Sequence, residues 1–231
     1  MGATAEQHGR DCWGLRVVKF SLRVLALVAC LSPAIAQERG TARPFDFYVL
    51  SLSWSAAYCA SGGAERGRDQ CQPGLGLGFV VHGLWPQYEK GYPSDCDAQG
   101  RPVPRAALEL AKGLFPTEGL ARHEWRRHGS CSGKSPQEYF ADVRRAREAV
   151  VIPPEYDRLG QEREAAPLDV QRAFQRVNPH LRPGMMAVQC SRGFLQEVRI
   201  CMTHDLREFR PCPDVVRNAC KAQSMKIPPS L

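Results

Sequence analysis

Three histidines stand in two short segments whose residue types could carry out acid-base chemistry. The first segment, residues 79–86, reads FVVHGLWP and places His82 three residues before Trp85. The second, residues 123–131, reads HEWRRHGSC. An imidazole titrates near neutral pH, so two imidazoles can remove one proton and deliver another in a single reaction.

The spacing within the second segment predicts one polar face if the segment is helical. At about 100° per residue, His123 and Arg127 are neighbours at i and i+4, and Glu124 and His128 form a second such pair. The four side chains fall within an arc of about 140°. One face of the helix would then carry two imidazoles, a carboxylate and a guanidinium, and such a face could bind a phosphodiester.

The zinc-protease pattern H-E-x-x-H is the main competing interpretation of the second segment. It requires two histidines at i and i+4, so that both reach one metal ion. Here His123 and His128 are separated by five positions, and arginine occupies position 127. The spacing argues against a metalloprotease, and we expect neither a metal ion nor another cofactor.

Cleavage of RNA by its own 2′-hydroxyl matches the residues present. The reaction needs a base, an acid and cations that stabilise the phosphorane charge. Arg127 and a protonated His123 could bind the non-bridging oxygens, while Glu124 could orient an imidazole or exchange a proton. Trp85 is a candidate platform for a base or a packing wedge. Tyr88 and Tyr92 are candidates for base preference.

Each segment taken alone also has a structural interpretation. A histidine at the end of a strand is more often a structural residue, and a charged helical stretch is more often a solvated surface. A cationic binding protein without catalysis is therefore the alternative to an enzyme.

Apolar periodicity and turn residues predict the elements that position the two segments. Gly83 and Pro86 are expected to end the second strand, Ser135 to cap a helix, and residues 221–231 to form a loose tail. Helices lie between early and late strands, which predicts an α+β fold with a mainly antiparallel central sheet and packed helices. We expect strands at 45–54, 77–82, 185–190 and 194–202, and helices at about 104–113, 120–128, 136–149 and 167–177.

The composition is that of a globular protein with a modest positive charge. Hydrophobic residues make up 43% of the 231 residues and charged residues 24%, which excludes a disordered or collagen-like chain. The formal net charge of +7 would suit an anionic partner without requiring one.

The N-terminal residues resemble a secretory signal peptide. Basic residues precede the apolar run 24–31, and Ala34 and Ala36 form a small-x-small pattern before Gln37. The run is too short to span a membrane. A lipoprotein site ending at Cys30 is a second interpretation. We expect cleavage after Ala36, a single catalytic domain at 37–231, and a periplasmic or secreted protein.

Cysteine usage supports export. Ten cysteines occur in the chain, and cleavage would remove Cys12 and Cys30, leaving an even number that fits four disulfides. No C-x-x-C pair occurs in the sequence, which argues against a zinc ribbon or finger. Counting alone leaves the pairing open.

The two histidine segments together resemble the active-site segments of the ribonuclease T2 family, whose members are secreted, metal-independent and largely base-unspecific endoribonucleases. HGLWP followed by HEWxxHG is a specific combination, and the resemblance extends from Phe45 to Cys220. It implies that His82 is the general acid, that His128 is the base toward the 2′-hydroxyl, and that Glu124 completes the catalytic set. His123 and Arg127 would bind phosphate and stabilise the transition state.

The resemblance also implies the substrate and products. Single-stranded RNA would be cut to a 2′,3′-cyclic phosphate, a lyase-type step, and then hydrolysed to 3′-phosphate ends. DNA lacks the nucleophile and would not be cleaved. We expect a monomer. A catalytically weak RNA-binding or toxin-like protein on the same scaffold remains the alternative.

The family's usual disulfide pairs, transferred to this sequence, are Cys59 with Cys71, Cys96 with Cys131, Cys190 with Cys220, and Cys201 with Cys212. Three positions depart from the family pattern: Arg127 replaces the usual Lys, Ala121 a common Trp, and Ser130 a Thr. Arginine keeps the positive charge of lysine, but its planar guanidinium donates hydrogen bonds in fixed directions, whereas the lysine ammonium is a compact charge. We still expect activity, because no proton-transfer group is lost.

Overall fold

A computed structural model describes residues 44–65, 68–97, 100 and 102–231 of the protein. The expected signal peptide, residues 1–36, lies outside the described residues.

Six strands and six helices occur in the described part of the chain. The strands are β1 (Phe47–Trp54), β2 (Phe79–Gln87), β3 (Arg163–Ala165), β4 (Met186–Ser191), β5 (Phe194–Thr203) and β6 (Met225–Ile227). The helices are α1 (Ser55–Ala60), α2 (Arg105–Ala111), α3 (Glu118–Arg127), α4 (Pro136–Glu148), α5 (Pro167–Val177) and α6 (Pro213–Arg217). This is the α+β class that the order of predicted elements indicates.

The strands form one sheet in the order β2-β1-β5-β6-β3, with β4 also paired to β5. The long pairings, β1 with β2, β1 with β5 and β4 with β5, are all antiparallel. A short parallel contact joins β5 to β6, so the sheet is mixed. The prediction of a mainly antiparallel sheet is confirmed.

Strand β1 is buried on both faces because apolar residues alternate between two clusters. One face contributes Tyr48, Leu50 and Leu52 to the main core, into which helices α4 and α5 also pack. The other face contributes Phe47 and Val49 to a smaller cluster beside the Cys201–Cys212 disulfide. This second face is the one that borders the site described below.

Local signals explain where the helices begin. The hydroxyl of Ser135 accepts a hydrogen bond from the Glu138 N–H, and the Glu138 carboxylate accepts one from the Ser135 N–H, which completes the expected capping box of α4. Thr117 caps α3 by accepting from Leu120 N–H at 3.1 Å. Such a cap contributes about 1 kcal/mol.

Two predictions about element limits were wrong. Strand β2 does not end at Gly83 but continues through Pro86 to Gln87. Proline is tolerated there because β2 is an edge strand, paired with β1 alone among the described strands. Residues 221–231 are not a loose tail, since they contain β6, which pairs with β3 and buries Met225 and Ile227.

The four disulfides of the structure join Cys59 to Cys71, Cys96 to Cys131, Cys190 to Cys220, and Cys201 to Cys212. These are the pairs that the family resemblance implies. None of the described helices is long and apolar enough to cross a membrane.

Candidate active site

His82 is the extra residue of a β-bulge in β2. Ser51 of β1 pairs with Gly83, and Leu52 pairs with Val81, so His82 has no partner in the register. A bulge bends its strand and redirects a side chain, and bulges are common beside active sites. The irregularity explains how a histidine within a paired strand borders an open cavity.

All six predicted site residues line one cavity of about 370 Å³: His82, Trp85, His123, Glu124, Arg127 and His128. The Trp85 ring contacts both candidate proton-transfer groups, since its centroid lies 5.2 Å from that of His82 and 5.2 Å from that of His128. Two segments that are distant in sequence therefore meet at one place.

Glu124 is the buried carboxylate at the base of this cavity. Its residue is 1% exposed. The Trp85 Nε1–H donates to its Oε2 at 2.8 Å, and its Oε1 lies 3.6 Å from His82 Nε2. Burial raises the pKa of Glu124 to about 7, although the charge of His82 opposes the shift. Glu124 can therefore exchange a proton near neutral pH.

His82 lies between two carboxylates. Its Nδ1 is 2.5 Å from Glu197 Oε1, and its Nε2 faces Glu124. Burial by itself lowers the pKa of His82, but the hydrogen bond to Glu197 and the two negative charges outweigh burial, so the pKa is raised. The His82 ring therefore stays protonated to a higher pH than an ordinary histidine does.

His128 has the opposite environment. It follows the last residue of α3, and its backbone N–H donates to the Glu124 carbonyl at 2.9 Å. Burial lowers its pKa to about 4, helped by the positive charges of Arg127, His82 and His123. Its Nδ1 is buried without a hydrogen-bond partner among the described residues. His128 is therefore a neutral imidazole at neutral pH.

The two predicted phosphate-binding residues lie at the exposed rim of the cavity. Burial and the Arg126 charge lower the pKa of His123. The Arg127 guanidinium already forms an ion pair with Asp95, whose N–H donates to the Arg127 carbonyl at 2.8 Å. The sequence interpretation did not include Asp95, which lies in a loop.

Trp85 occupies the position of a packing wedge. Its ring is half-buried between the two imidazoles, its N–H is used by Glu124, and the Arg199 guanidinium lies 5.0 Å from its centroid. Tyr92 lies at the open side of the cavity, with its ring centroid 6.4 Å from that of His128. The Tyr92 ring is thus more exposed than the Trp85 ring.

Sequence reasoning missed Glu197 and Arg199 as site residues. They alternate along β5 with Val198 and Ile200, which are fully buried in the main core. That alternation could have placed both charges on the opposite face of the strand. It could not have shown that His82, on another strand, lies against them.

Among the described residues, no group of three or more His, Cys, Asp or Glu side chains is arranged to hold a metal ion.

Two solved structures illustrate the similarity of fold. The RNase-related protein from Calystegia sepium has a TM-score of 0.66 at 21% identity, over 82% of this chain and 100% of that one. Ribonuclease MC1 from bitter gourd seeds has a TM-score of 0.56 at 21% identity, over 73% of this chain and 94% of that one. At such identities the similarity establishes the fold alone.

The sequence comparison identifies the family. A ribonuclease from Aeromonas hydrophila is 38% identical over 202 residues, which are 83% of this chain and 88% of that protein. Residues 45–212 match the Ribonuclease T2 family. The chain therefore belongs to the Ribonuclease T2 family and is a ribonuclease. The lyase classification considered above does not match the relative's name.

Substituting Gly83 tests the contact between Trp85 and Glu124. A Cβ at position 83 would lie 2.2 Å from Glu124 Oε2 and 2.2 Å from Trp85 Nε1. We expect Gly83→Ala to break this hydrogen bond, destabilise the fold by about 1–3 kcal/mol and lower kcat/KM on RNA about tenfold. Gly119→Ala is the matched control, since the nearest atom to its Cβ would be 3.8 Å away. Unchanged activity of Gly83→Ala would show that the hydrogen bond is dispensable.

Proposed function

We propose that this ribonuclease cleaves single-stranded RNA by attack of the 2′-hydroxyl on the adjacent phosphorus, with His128 as base and His82 as acid. The observation that carries this proposal is the opposite environment of two imidazoles beside one cavity. His82 lies between two carboxylates, and His128 lies among cations. An acid and a base of this kind are what transesterification requires at neutral pH.

In the first step, neutral His128 takes the proton of the 2′-hydroxyl. The 2′-oxygen forms a bond to phosphorus, the bond from phosphorus to the 5′-oxygen breaks, and the His82 imidazolium protonates the departing 5′-oxygen. The products are a 2′,3′-cyclic phosphate end and a free 5′-hydroxyl. DNA has no 2′-hydroxyl and would not be cleaved.

The second step opens the ring with the proton roles reversed. His82, now neutral, takes a proton from water, whose oxygen attacks phosphorus, and the His128 imidazolium protonates the departing 2′-oxygen. A 3′-phosphate end results, and both histidines return to their starting states.

Charge on the phosphorane would be held at the rim of the cavity. Arg127 lies there as the cation, and its guanidinium binds two phosphate oxygens side by side. His123, whose pKa is lowered, would donate a hydrogen bond to a phosphate oxygen as a neutral imidazole at neutral pH. Arg127 would exchange its exposed ion pair with Asp95 for the substrate, at a cost of about 1 kcal/mol or less. Glu124 would share a proton with the reacting groups, or orient them.

Export is part of the proposal. Four disulfides support folding in an oxidising compartment. We infer that the chain is cleaved after Ala36 and that residues 37–231 act as a single-domain monomer in the periplasm or outside the cell.

The experiment is to incubate the oxidised protein with RNA in EDTA and to identify the ends formed. We expect cyclic phosphate ends first and 3′-phosphate ends later, while a DNA strand of matching sequence stays intact. A metal-dependent nuclease would lose activity in EDTA. Intact RNA at every pH from acid to neutral would reject the mechanism, and RNA binding without cleavage would favour the non-enzyme alternative.

A further inference from the structure

The carboxylate of Glu197 is in contact with a proposed catalytic group but has no part in the steps above. We propose that Glu197, oriented by Arg199, is a positioning residue that fixes the ring of His82 and keeps it an imidazolium between turnovers. This inference rests on the proposed function.

The hydrogen bonds of Glu197 divide between its two oxygens. Oε1 is 2.5 Å from His82 Nδ1, while Oε2 accepts from Arg199 Nε at 3.0 Å and pairs with Arg199 Nη2 at 2.9 Å. The Glu197 side chain is 13% exposed. A buried carboxylate held on both oxygens has little freedom to rotate, so the imidazole that it contacts is also fixed.

This contact determines which nitrogen of His82 faces the substrate. With Nδ1 bound to Glu197, the free nitrogen is Nε2, on the side of Glu124 and the cavity. The partner of one ring nitrogen sets the tautomer and the role of the other. Nε2 is therefore the atom that would deliver the proton to the 5′-oxygen.

The contact spans three strands, which explains why the strand between them carries small residues. His82 is on β2 and Glu197 on β5, with β1 in between. Neighbouring strands lie about 5 Å apart, so the two backbones are about 10 Å apart. On this face β1 presents Ser51, paired with Gly83 and Arg199, and Ser53, paired with Glu197. Large side chains at these positions would separate the histidine from the carboxylate.

The charges around His82 show what Glu197 contributes. Burial lowers the pKa of His82, as does the Arg199 charge, while the Glu197 hydrogen bond is the largest effect that raises it. Removing this carboxylate leaves the Glu124 charge to raise the pKa of His82 against burial and the Arg199 charge. The charged groups that shift the pKa of His82 are Glu197 and Arg199 on β5 and Glu124 on α3. The His82 charge in turn lowers the pKa values of His123 and His128.

Glu197→Gln tests the inference because it keeps the size of the side chain and removes its charge. Loss of the anion lowers the pKa of His82, so the acid is deprotonated at lower pH. We expect the alkaline limb of the kcat profile to move to lower pH, with kcat down about tenfold at neutral pH and KM nearly unchanged. Glu164→Gln is the matched control, since Glu164 is an exposed residue of β3 at the opposite edge of the sheet.

An NMR titration of His82 in the wild-type protein gives a second measurement that does not depend on the variant's folding. We expect its pKa above the ordinary histidine value. A pKa at or below that value, or an unmoved alkaline limb in a folded Glu197→Gln variant, would overturn the role of Glu197. Failure of the proposed function would be separate: the wild-type protein would not cleave RNA, whatever the His82 titration gave.

Discussion

His128→Ala lowers kcat on RNA about 10²- to 10⁴-fold, and His82→Ala does the same, while both variants unfold at nearly the wild-type temperature. The size of the loss is that of a missing general acid or base. Folding is retained because Arg199 still compensates Glu197, and because Glu124, whose pKa is about 7, can take up a proton when the His82 cation is gone.

A substrate whose leaving group needs no proton distinguishes the general acid, His82, from the general base, His128. A 4-nitrophenyl ester of a nucleoside 3′-phosphate releases a weakly basic phenolate that needs no proton from an acid. We therefore expect His82→Ala to cleave this substrate at close to the wild-type rate, whereas His128→Ala stays impaired because the 2′-hydroxyl still needs a base. If His128→Ala cleaved this ester at the wild-type rate and His82→Ala did not, His128 would be the acid and His82 the base. A wild-type rate on RNA in either variant would refute both assignments.

His180→Ala is the matched control for these substitutions. His180 is exposed and lines a different cavity, together with Arg182 and Arg207. Its replacement is expected to leave kcat, KM and the unfolding temperature unchanged, which would show that loss of an imidazole as such does not reduce activity.

Removing the Cys96–Cys131 disulfide is expected to cost both stability and activity. Asp95, next to Cys96, binds Arg127 through its carboxylate and its N–H, and the Cys131 N–H donates to the His128 carbonyl at 3.0 Å. The bridge thus joins the loop after β2 to the end of α3. With both cysteines replaced by alanine, we expect about 4 kcal/mol less stability and a 10- to 100-fold lower kcat, roughly the cost of a misplaced catalytic group.

The Cys59–Cys71 disulfide is the control for that experiment. Its sequence separation is 12 against 35 for Cys96–Cys131, and neither of its cysteines borders the cavity that contains His82. Replacing both of its cysteines by alanine should cost about 3 kcal/mol, measured by denaturant unfolding, with little change in kcat at a temperature where the variant is folded. Equal losses of activity in the two double variants would show that the effect is one of stability alone.

Much of the fold was predictable because its signals are local. The capping box at Ser135 and the apolar face behind it predict α4. Runs of apolar residues predict β1, β4 and β5 close to their observed limits. Strand β6 was missed because three residues are too few for a pattern, and its burial depends on β3 and β5. Strand β2 can include Pro86 because it lies at the edge of the sheet. The local sequence does not show which strand lies at the edge.

The groups that could do chemistry were predictable from residue types and helical spacing, which place His123, Glu124, Arg127 and His128 on one face of a helix. The protonation states of these groups and of His82 depend instead on contacts between distant parts of the chain. The raised pKa of His82 depends on Glu197, 115 positions away in the chain, and the lowered pKa of His128 depends on burial among cations. Protonation follows from desolvation and from neighbouring charges in space, and both arise when the strands and α3 pack together.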